Sequence, residues 1–123
     1  MTLHKQIRSN QNAGLHLAYG GMETDLIFNQ GVDLPGFASY PLLEPTKGRA
    51  LLRGYLQDMI TLGADTGTTV ILESPTWVAN RDRAAALGYG ATQLHKLNQQ
   101  AIALMADVRL EMNSPDTVIS ANI

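Results

Sequence analysis

The chain has 123 residues, 45% of them hydrophobic, and a formal net charge of -2. That suffices for one ordinary domain with a real core, and it offers no basic field for nucleic acid or anionic lipid. There is no cysteine, so disulfides, thiolate nucleophiles and cysteine-held zinc are excluded within these residues.

Residues 1–14, "MTLHKQIRSNQNAG", read as a polar arm without periodicity and lack the apolar core of a secretory signal. No apolar run reaches the roughly 20 residues that span a bilayer. The expectation is a soluble cytoplasmic protein with neither membrane nor nucleic-acid partners.

From Leu15 to Tyr19, Leu15, Leu17 and Tyr19 alternate with His16 and Ala18, a short strand signal that stops at Gly20 and Gly21. The two glycines read either as a tight turn needing positive φ or as backbone that must approach a ligand closely. "METDLIFNQG" makes one or two helical turns closing at Gly31. Glu23 and Asp25 in it would hold a substrate amine or simply favour a helix N-terminus. "VDLPGFASYPLLEP" carries three of the five prolines and reads as a loop.

In "TKGRALLRGYLQDMITLGAD" the residues Leu52, Tyr55, Leu56, Met59 and Ile60 fall on one helical face, with Gly63 as the natural C-cap. "TGTTVILES" follows, β-branched and uncharged until Glu73, and suits a strand buried on both faces. An ionised Glu73 closing such a run must be paired or solvated at the strand mouth. "LESPTW" then places Ser74, Thr76 and Trp77 in a loop that is either a pocket wall or a surface turn.

"NRDRAAALGYG" is a short helix with Asn80 as N-cap and Gly88 as stop. "GYGATQ" has neither the third glycine of the dinucleotide pattern nor the P-loop lysine, and Thr92 reads as the cap of the next helix. That helix, "ATQLHKLNQQAIALMADVRLEMN", carries Leu94, Leu97, Ala101, Met105, Val108 and Met112 on one stripe. A turn at 113–116 leads into the strand "TVISANI". His4, His16 and His95 have no zinc-ligand spacing, and no serine lies in a G-x-S-x-G context.

Strand, helix, strand, helices, strand argues an α/β fold with parallel strands and right-handed crossovers. Both outer strands of such a sheet expose unpaired edges, so the chain reads as the front of something longer.

Three segments, "GGMETDLIFNQGVDL", "LGADTGTTVILESPTWVANRDRAAALGY" and "VISANI", together with the Asn98 to Ile102 element, resemble the N-terminal part of the homocysteine S-methyltransferase family. The resemblance runs in unbroken order from about Leu17 to Ile123. It implies the N-terminal portion of a (β/α)8 TIM barrel, about three parallel strands with crossover helices, occupying residues 15–123. In the family, a zinc ion held by cysteines of later strands activates a thiol that takes a methyl group from a sulfonium or ammonium donor. Carried onto this chain, Gly20, Gly21, Glu23, Thr24, Glu73, Ser74 and Asn122 line the substrate pocket, and none is a catalyst. Two departures leave the identity of the thiol open: Tyr19 replaces the family's acidic residue before the glycines, and "LESPTW" replaces its usual loop.

The leading expectation is thus part of a thiol S-methyltransferase, inactive alone for want of a zinc site. A non-catalytic partial-barrel binding or assembly module, pairing with another chain to cover its sheet edges or self-associating through them, is the alternative. A third reading is an unrelated α/β enzyme with Glu73 as general base.

Overall fold

The computed structural model describes residues 14–122. The polar arm up to residue 13, His4 within it, and Ile123 lie outside the described residues.

Strand β1 (His16–Ala18) leads through the two glycines into helix α1 (Met22–Phe28). The proline-rich segment is not a plain loop. It forms two 3-10 turns, Pro35–Phe37 and Tyr40–Leu43, each with a proline at its start, where a preset φ and a missing N–H cost nothing. Tyr40 and Leu43 of the second turn are fully buried. Helix α2 (Thr46–Thr66), β2 (Thr69–Glu73), α3 (Arg81–Ala86), α4 (Ala91–Glu111) and β3 (Val118–Ser120) complete the order.

The three strands form one parallel sheet in the order β1-β2-β3. By register, Leu17, Val70, Leu72 and Ile119 share one face, while His16, Ala18, Ile71, Glu73, Val118 and Ser120 share the other. The first face meets the helices. Val70 and Leu72 join Leu26 of α1, Leu52, Leu56 and Ile60 of α2, Ala84 of α3 and the Leu94–Val108 stripe of α4 in a single core cluster.

β2 is therefore buried on one face only. Val70 and Leu72 are buried, whereas Thr69, Ile71 and Glu73 are half-buried, because the core helices gather on the Val70 side. This corrects the expectation of a strand buried on both faces.

Gly63 is not the cap of α2. The helix runs on to Thr66, and Gly67 at φ 67° ends it, with the Gly67 and Thr68 N–H groups donating to Ala64 and Gly63. Gly63 is buried, and a Cβ there would collide with the Val70 side chain. It lets α2 approach β2. Thr92 is likewise not a cap: Gly90 precedes α4, and its N–H donates to Gln93 Oε1 at 3.0 Å. Asn80 does cap α3, its Oδ1 accepting from the Arg83 N–H at 3.0 Å. Among the described residues no helix is long and apolar enough to cross a membrane.

Candidate functional site

The candidate site lies at the carboxyl ends of the parallel strands, where ligands are commonly bound in parallel α/β folds. β1 ends at Tyr19-Gly20-Gly21. Gly21 adopts φ 77°, the left-handed region that L side chains rarely enter, and its carbonyl accepts the Asp25 N–H at 2.9 Å to start α1. The turn explanation for this glycine therefore holds, and the same turn lines a cavity.

That start buries Glu23, which is 9% exposed. The Ser39 hydroxyl donates to Glu23 Oε1 at 2.7 Å and lies 3.2 Å from the Pro75 carbonyl, so the carboxylate is held between the loops after α1 and β2. Tyr19 replaces an expected acid and does something different. Its hydroxyl donates to the backbone carbonyl of Glu73, clasping the ends of β1 and β2. Its ring packs edge-on against Tyr55 of α2, with centroids 5.6 Å apart. Burial pushes the Tyr19 phenol far above the usual tyrosine range, so it is a neutral donor.

β2 and β3 are joined by a closed ring of hydrogen bonds. The Asn122 N–H donates to Ser74 Oγ at 2.8 Å, Thr76 Oγ1 donates to the Asn122 carbonyl at 2.8 Å, and Ser74 Oγ lies 2.7 Å from Thr76 Oγ1. Each hydroxyl has one proton. Since that of Thr76 goes to the carbonyl, Ser74 is the donor between the two. Ser74 is thus a strut of the loop with its proton committed, and Asn122 enters the ring through its backbone.

Between these struts lies a cavity of about 530 Å³. Gly20, Gly21, Glu23, Glu73, Ser74 and Asn122, six of the seven residues expected from the sequence, line it. Thr24 does not: it is exposed on α1, one position past Glu23 and on another side of the helix. Phe37 and Trp77 supply aromatic walls, meeting edge to face with centroids 6.2 Å apart. Phe37 holds φ 61°, an unusual backbone for a bulky side chain, and nothing in "LPGF" marks it beforehand.

The lining contains two carboxylates and no Lys, Arg or His. Such a lining favours a cation, while the Trp77 ring is already engaged by the Arg83 guanidinium, 5.8 Å from its centroid. The Glu73 carboxylate makes no hydrogen bond among the described residues, whereas that of Glu23 is engaged by Ser39.

The residues present do not suit zinc. The sequence has no cysteine, and among the described residues no three His, Asp or Glu side chains gather as a ligand set. His16 stands at the start of β1, away from the strand mouths, and His95 is exposed on α4.

No protein-family model, curated protein or solved structure matches the chain.

Proposed function

We propose that the chain is the N-terminal portion of a (β/α)8 barrel similar to the homocysteine S-methyltransferases. In this reading the cavity at its strand ends receives the ammonium group of a thiol-bearing amino acid. The observation that carries it is the convergence of Glu23, Glu73 and the Gly20-Gly21 turn on one cavity without a basic side chain.

Glu73 supplies the free carboxylate for the ammonium, and Glu23, fixed by Ser39, adds negative potential from the cavity's buried side. Gly20 and Gly21 let the ligand approach backbone, and Phe37 with Trp77 give the cavity an apolar side. Singly wound parallel strands with their helices on one face are what the first units of such a barrel require. A barrel takes about 250 residues, so these strands would make up about three of its eight. The zinc ligands of the family find no counterpart in this chain, and methyl transfer by residues 1–123 alone is expected to be nil.

The Gly21 backbone amide lies in the turn that lines this cavity, so its nitrogen-proton resonance reports occupancy there. Titration with L-homocysteine is expected to be saturable, and 4-mercaptobutanoate, which lacks only the amine, should bind at least about tenfold more weakly. Glu73→Gln should abolish the difference. Equal response to the two compounds would sink the proposal.

The outer strands favour a second role as an assembly module. β1 and β3 each pair with β2 alone among the described residues, leaving one backbone edge apiece for another strand.

A further inference from the structure

A second cavity, of about 670 Å³, adjoins the first and shares Ser74, Trp77 and Asn122 with it as a common wall. Its polarity is opposite. Arg81, Asn80 and Asn98 line it, and no Asp or Glu does. Arg81 makes no ion pair or hydrogen bond among the described residues, and neither does the Asn98 side chain. Asn80 spends its oxygen on the Arg83 N–H, which leaves its amide N–H₂ as the group still able to bond. The Ser74 and Thr76 protons are committed within the ring that builds the shared wall. What remains is one guanidinium and amide donors above an apolar floor formed by Leu94 and Ile102 of α4.

We infer that this second cavity is a subsite for a small carboxylate bearing an apolar chain. The guanidinium takes the carboxylate, the Asn80 and Asn98 amides take its remaining lone pairs, and Leu94 and Ile102 take the chain. Carboxylate is favoured over a neutral amide because only the anion uses the charge of Arg81. The inference does not rest on the reading of the first cavity: the two sets of charged residues are separate, and only the wall is common.

The probes are pentanoate and its neutral counterpart pentanamide. Binding is followed in the 123-residue chain by the nitrogen-proton spectrum of the Asn98 side-chain amide and by Trp77 fluorescence. Pentanoate should shift the Asn98 amide and leave the Gly21 backbone amide in place, and pentanamide should bind about tenfold more weakly. Arg81→Gln, at an exposed position outside the core, should make the two probes equal. Glu73→Gln should leave pentanoate binding intact, even where it destroys amine binding in the first cavity. An unchanged preference in Arg81→Gln, a shift of Gly21 in place of Asn98, or no response to pentanoate would each overturn the assignment.

Discussion

The Tyr19 hydroxyl donates to the Glu73 backbone carbonyl across 54 positions of sequence, so the phenol that ends β1 holds the residue that ends β2. In the proposed reading this makes Tyr19 a positioning residue for the Glu73 carboxylate. Tyr19→Phe keeps the ring packed on Tyr55 but leaves the carbonyl without this donor. A loss of about 1 to 2 kcal/mol in unfolding free energy is expected, measured by urea denaturation. Its positioning role makes a second demand: discrimination between L-homocysteine and 4-mercaptobutanoate should narrow in Tyr19→Phe. A stability loss with discrimination intact would leave Tyr19 a purely structural clasp.

Alkali should destabilise the fold from a defined point. Burial pushes Tyr19 far up, and burial with the neighbouring Glu44 carboxylate pushes Tyr89 up to about 12. Burial also raises Tyr40 and Tyr55. The unfolded phenol titrates near 10. Below that pH both states are protonated and the full stability is present. Above it the unfolded chain loses protons first, and stability falls until pH passes the folded values. Unfolding free energy should thus be flat from pH 8 to about 9.5 and decline from there toward 12. A stability curve flat to pH 12 would contradict the buried, neutral state of these phenols.

Two glycines in α2 should respond in opposite directions to alanine. Gly63→Ala drives a methyl group into Val70 and toward the Thr68 carbonyl 3.1 Å away, with an expected loss of about 1 to 3 kcal/mol. Gly54 has open space where its Cβ would stand. Gly54→Ala should gain about 0.5 to 1 kcal/mol from helix propensity alone. Thermal unfolding of the two variants beside the parent checks both. Similar effects in the two would mean that α2 does not approach β2 through Gly63.

What the sequence made legible was local. The Leu52, Leu56 and Ile60 spacing and the Leu94 to Val108 stripe mark α2 and α4 because a single helix face repeats within the segment itself. Gly20, Gly21 and Glu73 point to the strand mouths because an acid or a glycine pair ends an apolar run. Gly63 misled for the same reason: nothing local separates a helix stop from a close approach to a strand seven residues later. The one-sided burial of β2 depends on where the helices gather, which strand composition does not encode. The Tyr19 clasp and the Ser74, Thr76 and Asn122 ring join residues about 50 positions apart, so no window contains both partners. The fold class as a parallel α/β sheet was readable. Closure into a barrel would take strands other than these three, and it belongs to the proposed reading alone.

The last prediction follows from the sheet. β1 and β3 each have one ladder edge that pairs with nothing among the described residues, and a parallel edge of this kind recruits another strand. The face bearing His16, Ala18 and Ile71 adds to the pressure: Ile71 is half-buried and Ala18 exposed, and neither belongs to the core cluster. Leu15, at 80% exposure, precedes the β1 edge directly. Edge and apolar surface lie together, so one contact would satisfy backbone groups and remove apolar area at once. The 123-residue chain should self-associate at micromolar to millimolar concentration, with light scattering giving a mass that rises with concentration. Hydrogen exchange would identify the contact, because amides in His16–Ala18 and Val118–Ser120 should gain protection as the mass rises, while those of Thr69–Glu73, on the central strand with a neighbour on each side, should not change. A monomer at all concentrations, with the outer strands as well protected as β2, would mean that the chain covers its own edges, and the assembly role would fall with it.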